Sequence, residues 1–142
     1  MRLLGIDFGF KRIGIAIAET EHGIISARPS IEASGTLKTD AARLAEMAKK
    51  EQVDAVVLGL PIEEDGEEGR MARICRTLAG HIAECGIEVH LVDERMTSIE
   101  AEANIRDGSE TEIKASQIRK LKDGEAARLI LERYLGGREA HD

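Results

Sequence analysis

Three carboxylates stand where an ordinary surface acid has little reason to be: Asp7, Glu94 and Asp123. Asp7 interrupts the apolar run Leu3-Leu-Gly-Ile-Asp7-Phe. A charge on a buried strand is costly unless a basic partner or a metal ion compensates it. Glu94 lies just past the alternating run 87–92. Asp123 precedes the pair Ala126 and Ala127 by one helical turn, a spacing that shares their packed face. Acids converging from a strand, a strand end and a helix start make an all-oxygen site, suited to Mg²⁺ or Mn²⁺. One or two such ions on a phosphate activate water and stabilise the attacking and leaving oxygens. The chemistry implied is phosphodiester hydrolysis.

Each acid also has a plainer role open to it. Asp7 can be tied to backbone N–H groups of the turn at Gly9. Glu94 can pair on the surface with Arg95 or Lys122. Asp123 can be an acid favoured by the positive end of a helix. Asp93 and Asp65 are the nearest competitors for the site. If strand alternation continues past Val92, Asp93 points opposite to Glu94, so only one of the two can face Asp7.

The elements that must position these residues follow from the hydrophobic pattern. Residues 2–8 and 12–18 read as a β-hairpin, with Gly9 supplying the turn because glycine tolerates positive φ. A third strand runs through about 24–32, and Pro29 makes it an edge or irregular strand. Residues 39–51 read as a helix with Thr39 as N-cap. The apolar run 54–60 is a strand buried on both faces and is stopped by Pro61. A helix over 70–85 ends near Gly86, and 87–92 alternates as a strand. Thr97-Ser-Ile-Glu100 is a capping box that starts a helix to about Arg106. Residues 107–120 read as a polar connection. A last helix spans 122–135, ends at Gly136-Gly137 and leaves 136–142 as a frayed tail. The fold class is α/β, with a central mixed five-stranded sheet. Three antiparallel strands come first, parallel strands follow, and helices flank the whole in one domain over 1–142.

Composition limits the alternatives. At 142 residues, with 42% hydrophobic and 33% charged residues, the chain fits a globular domain with one core. Aromatics are only 2%, so that core is built from Ile, Leu, Val and Ala. No apolar run approaches the roughly 20 residues that span a bilayer. Asp7, Lys11 and Arg12 interrupt any leader-like stretch, and the expected location is the cytoplasm. Cys75 and Cys85 fall about 15 Å apart along one helix, too far to bridge. The net charge of -7 argues against a broad nucleic-acid surface but leaves room for local basic patches. Lys11-Arg12, the trio Arg70, Arg73 and Arg76, and the cluster Lys114, Arg119, Lys120 and Lys122 are the candidates.

Four motifs occur in order: Gly5-Ile-Asp7-Phe-Gly9-Phe-Lys11-Arg12-Ile-Gly14; Val57-Leu-Gly59-Leu-Pro61 with Asp65-Gly66; Val92-Asp93-Glu94-Arg95-Met-Thr97-Ser98; and Asp123-Gly-Glu-Ala126-Ala127 with Ile130-Leu131. The set resembles the bacterial YqgF family of Holliday-junction-resolvase-like proteins, which are also described as nucleases for the 5′ end of pre-16S rRNA. The resemblance implies an RNase H-like fold. It implies that Asp7, Glu94 and Asp123 form the catalytic, metal-holding site. It also implies that Lys11, Arg12, Arg95, Thr97 and Ser98 contact nucleic acid. The expected activity is a metal-dependent endonuclease on structured RNA, with a ribosomal particle as a further partner and a monomer or weak dimer as its state. A branched-DNA resolvase and a non-catalytic RNA-binding assembly factor are the alternatives. Gly124 and Glu125 depart from the family pattern, the first where a bulkier or small polar residue is expected.

Overall fold

Runs of Ile, Leu, Val and Ala with few breakers form the strands of a single sheet. The computed structural model describes residues 1–62, 66–93 and 115–140, the last stretch with side chains over 123–136. The strands are β1 (Arg2–Phe8), β2 (Arg12–Glu19), β3 (Ile24–Glu32), β4 (Ala55–Leu60) and β5 (Val89–Asp93). The helices are α1 (Leu37–Lys50), α2 (Arg70–Glu84) and a last one, called α3 here, over Ala115–Ala140. The five strands form one sheet in the order β3-β2-β1-β4-β5. The β1–β2 and β2–β3 pairs are antiparallel, while β1–β4 and β4–β5 are parallel. This is the mixed sheet expected from the sequence. Pro29 falls on the edge strand β3, where the register with β2 shifts between Ile13 and Ile15. A proline costs no ladder bond at such an irregularity.

The period of two along each strand sorts the side chains into two cores. Leu4, Ile6 and Phe8 of β1, Ile13, Ile15 and Ile17 of β2, and Val56 and Leu58 of β4 pack with Ala41, Leu44, Cys75, Leu78 and Ile82 of α1 and α2. Leu3, Ala16, Ala18, Ala55 and Val57 face the other way, against Ala127, Ile130 and Leu131 of α3. Each fully buried Leu, Ile or Val contributes roughly 1.5–3 kcal/mol. The two faces are built differently. The α1–α2 face carries large residues, whereas the α3 face is floored with small ones.

That floor lets α3 lie close. A Cβ at Gly5 would stand 2.6 Å from Leu131 Cγ and 3.0 Å from the Ala127 carbonyl oxygen. Gly124 is buried against the edge strand, where a Cβ would meet the Arg28 carbonyl oxygen at 3.1 Å and Ala27 Cβ at 3.2 Å. This accounts for glycine where the family pattern suggested a larger residue.

The helix limits differ from the sequence expectation in two places. Helix α1 begins at Leu37 with Thr36, not Thr39, in the N-cap position. The buried carboxylate of Asp40 accepts the Ser34 N–H at 3.0 Å and draws the preceding loop onto the first turn. Helix α3 starts at Ala115 and runs to Ala140, through Gly136-Gly137, rather than spanning 122–135. Glycine lowers helix propensity by about 1 kcal/mol but does not forbid a helix already docked on a sheet. By contrast α2 ends as expected, with Gly86 at φ 85° and its N–H on the Ala83 carbonyl at 2.9 Å. Both cysteines are free thiols. Among the described residues no helix is long and apolar enough to cross a membrane.

Candidate active site

Strands β1, β4 and β5 run parallel, so their carboxyl ends lie together on one side of the sheet, where ligands gather in α/β folds. Asp7 is the penultimate residue of β1 and half-buried. It is an odd-numbered β1 residue, on the face covered by α3. Its antiparallel partner on β2 is Gly14. The β1–β4 register pairs Ile6 with Leu58, which sets Asp7 level with Gly59, itself paired with Val92 of β5. Level with Asp7, both neighbouring strands therefore carry a glycine, Gly14 and Gly59.

Asp123 is brought to this place by the close approach of α3. A Cβ at Gly14 would lie 2.1 Å from the Asp123 carbonyl oxygen and 3.2 Å from its Cα. Partners in an antiparallel pair are about 4.5–5.5 Å apart. Asp7 and the Asp123 backbone are thus neighbours across a single strand spacing. Asp123 lies more than two turns inside α3, so it is not an acid at a helix N-terminus, and that plainer role does not hold. Its Oδ2 accepts a hydrogen bond from Arg12 Nε at 2.6 Å. The side chains of this pair are 29% and 18% exposed. Arg12, expected to grip phosphate, is in this structure the partner of the second acid. A carboxylate offers about four acceptor positions, so this bond leaves Asp123 capacity for a cation or a water.

The following residue, Glu125, does not add an uncompensated charge beside the site. Arg128 Nε donates to both of its carboxylate oxygens at 3.0 Å, and Arg128 Nη1 donates to Glu132. The hydrogen bond that Arg128 donates to Glu125 is the largest cause holding its guanidinium more firmly protonated than usual. In the Arg70, Arg73 and Arg76 trio, Arg76 is taken up by Glu68, with bonds of 2.5 and 2.6 Å. That hydrogen bond lowers the Glu68 carboxyl from its ordinary range.

Lys11 is exposed at the tip of the β1–β2 hairpin, beside the acids. The tip is pinned. The Gly9 N–H donates to the Arg12 carbonyl at 3.0 Å, and the Ala33 N–H donates to the Lys11 carbonyl at 2.9 Å. Gly9 is not among the residues with positive φ, so the expected reason for a glycine there is wrong. Close approach is the actual one, since a Cβ would stand 2.8 Å from the Arg12 carbonyl oxygen.

Glu94, Arg95, Thr97 and Ser98 lie outside the described residues, as do Asp65 and the helix expected over 97–106. The strand leading to Glu94 is described. Val89 and Leu91 pack on the α1–α2 core and Val92 on the α3 core. His90 sits against Tyr134 of α3 with ring centroids 5.3 Å apart. Even-numbered positions of β5 therefore share the face of Asp7 and Asp123, and Asp93 belongs to the opposite one. Arg133 of α3 donates to the Asp93 carbonyl at 3.2 Å, tying the helix to the end of β5. Among the described residues no three His, Cys, Asp or Glu side chains are placed to hold a metal ion. The donors that are present, two carboxylates at one strand end, have the oxygen chemistry Mg²⁺ and Mn²⁺ require. Both acids stand out in the sequence as candidates, whereas Gly14, the contact that joins them, does not. Its signal was present, since Gly5 and Gly14 fall on one face of a hairpin.

A mixed β3-β2-β1-β4-β5 sheet flanked by helices is the RNase H-like fold, and the relatives of this chain make it a nuclease, a hydrolase of phosphodiester bonds. Comparison with known proteins gives the family. Residues 1–137 match the model of the RuvX family, described as Holliday junction resolvase, and the chain belongs to that family, to which the YqgF motifs pointed. A relative from Anaeromyxobacter sp. (strain Fw109-5), named "Putative pre-16S rRNA nuclease", is 39% identical over 99% of this chain and 100% of its own length. Relatives of the same name from Endomicrobium trichonymphae and Myxococcus xanthus are 40% and 35% identical, covering 94% and 100% of this chain and 94% and 92% of their own. Among solved structures, RuvC of Thermus thermophilus in complex with a Holliday junction substrate superposes with a TM-score of 0.56, at 19% identity, over 95% of this chain and 94% of that one. The fowlpox virus Holliday junction resolvase gives 0.52 at 15% identity over the whole of both chains. At those identities the likeness is one of fold, and it is the RNase H-like fold.

Proposed function

We propose that this chain is a divalent-metal-dependent endonuclease that trims the 5′ end of pre-16S rRNA, in the cytoplasm and on a ribosomal precursor particle. The observation that carries the reading is the meeting of Asp7 and Asp123 at Gly14, in a chain whose full-length relatives bear that nuclease name. Asp7, Asp123 and Glu94, the next even position after Val92, would hold Mg²⁺ or Mn²⁺, as one or two ions. Such a cation, when bound, supplies an activated water and neutralises charge at phosphorus. The chain's own residues do the rest. Strand β1 fixes Asp7 on a rigid element. Arg12 orients the Asp123 carboxylate through its Nε–H. Lys11, exposed on the pinned tip, holds a substrate phosphate, and Arg95, Thr97 and Ser98 contact the strand further along. Phosphate contacts position without reading sequence, so selectivity rests on RNA shape or on the particle.

The test is cleavage of a precursor rRNA fragment and of a four-way DNA junction, each with Mg²⁺ and with Mn²⁺, by the parent and by Asp7→Asn. The expected result is a parent that cuts the RNA and a variant slower by at least about 100-fold. Equal rates would remove Asp7 from the site. The family's description favours one second reading, junction resolution, which needs paired symmetric cuts and hence a dimer. Junction cutting by a dimer, with the RNA left intact, would replace the proposal. RNA binding with no cutting by the parent would make the chain a non-catalytic assembly factor.

A further inference from the structure

The chain holds three aromatic residues in all, two Phe and one Tyr, and no Trp. Phe8 is buried in the core and Tyr134 rests against His90. Phe10 is different. It is 65% exposed at the tip of the β1–β2 hairpin, more than any other large hydrophobic side chain among the described residues. An isolated exposed Phe is unremarkable by itself. The setting of this one is not. It lies three positions beyond Asp7, which keeps the two Cα atoms within about 11 Å. The next residue, Lys11, presents an exposed cation. The tip that carries both is held by the Gly9 N–H to Arg12 bond, the Ala33 N–H to Lys11 bond, and the Arg12 side chain on Asp123. An exposed aromatic face beside a cation is the arrangement by which proteins take up single strands, with bases stacked on the ring and phosphates on the charge. A pinned backbone matters because a ring carried on it has only its own side-chain torsions left to lose on binding.

We infer that Phe10 is a stacking platform for an unpaired nucleobase, placed so that the strand continuing from that base passes Lys11 and reaches the acids. The inference rests on the nuclease reading for where the strand goes next, but not for the stacking itself. A π-face accepts any base, so the platform selects unpaired nucleotides rather than a sequence.

The chain has no Trp, so Phe10→Trp creates a single fluorescent reporter at the tip. The experiment titrates this variant, without divalent cations, with single-stranded RNA and DNA oligomers and with blunt duplexes of both. Emission is expected to be quenched by the single strands of either sugar and not by the duplexes. In parallel, Phe10→Ala is expected to weaken single-strand binding about 5- to 100-fold, Phe10→Tyr to restore it, and Phe10→Leu, apolar but without a ring, to stay weak. Wild-type affinity in Phe10→Ala or Phe10→Leu overturns the inference. So does a reporter that ignores single strands, or one that responds only to protein concentration, which would make the tip a contact between copies. Binding is read without metal, so the two readings fail separately. A protein that stacks but never cuts loses the nuclease reading alone. A protein that cuts with an unchanged KM in Phe10→Ala loses the platform alone.

Discussion

Gly14 and Asp123 touch backbone to backbone: a Cβ at residue 14 would lie 2.1 Å from the Asp123 carbonyl oxygen. No rotamer change relieves that contact, because neither side of it is a side chain. Gly14→Ala must lift α3 off β2 or shift the strand. The expected cost is at least about 2 kcal/mol, at the upper part of the range for overpacking. Asp123 moves with the helix, so cleavage should fall more than the loss of folded protein accounts for. Urea unfolding and kcat measured under fully folded conditions check both. A Gly14→Ala protein with parental stability would mean the approach is not that tight.

Gly80 offers the opposite case. It lies in the exposed interior of α2, and a Cβ there meets nothing within 4 Å. Gly80→Ala should stabilise by roughly 0.5–1 kcal/mol, chiefly through helix propensity and the unfolded chain's entropy. Thermal melting should rise by about 2–4 °C. A fall in Tm would show that something unseen depends on the glycine.

Asp40 is the buried acid that has nothing to do with the site. It is 1% exposed, and its Oδ1 accepts from the Ser34 N–H at 3.0 Å and from Arg43 at 3.1 Å. Arg43 also donates to the Glu32 carbonyl at 2.9 Å, so one carboxylate and one guanidinium fasten the loop between β3 and α1. Asp40→Ala strands the Ser34 amide and is expected to cost about 2–3 kcal/mol, short of a fully buried pair because Arg43 is 39% exposed. Asp40→Asn keeps an acceptor and should lose about half as much. Denaturant midpoints decide it, and an Asp40→Ala loss below about 0.5 kcal/mol would contradict the assignment.

The strands were legible because their pattern is local. Val56-Val-Leu-Gly-Leu60 reads as a buried strand because it is short and Pro61 stops it, and Pro29 is tolerated at an edge or irregularity. Asp7 was legible for the same reason, as a charge in an apolar run. What the pattern hides is set by tertiary contact. The start of α3 at Ala115 lies in a polar stretch with no apolar periodicity to announce it. The cap of α1 is Thr36 because Asp40 fastens its loop from four residues ahead. Arg12 reads as a free cation in the sequence, since nothing nearby in the chain reveals that Asp123 will arrive beside it.

Lys11 and Arg12 are adjacent cations with different duties, and substitution should separate them. Lys11 is exposed on the hairpin tip, so Lys11→Gln should leave stability within about 0.5 kcal/mol of the parent. It should weaken binding about equally for all sequences and lower the salt slope by about 1. Arg12→Gln should also cost about 1 kcal/mol of stability, a modest figure because the pair is partly solvated. It releases the Asp123 carboxylate, so kcat should fall along with affinity. Arg12→Lys is the discriminating variant. It keeps the charge but lacks the planar Nε–H that meets Oδ2 at 2.6 Å. The expected outcome is a restored affinity with kcat still reduced. If Arg12→Lys restores both, the arginine serves as a charge alone and the orientation of Asp123 does not depend on it.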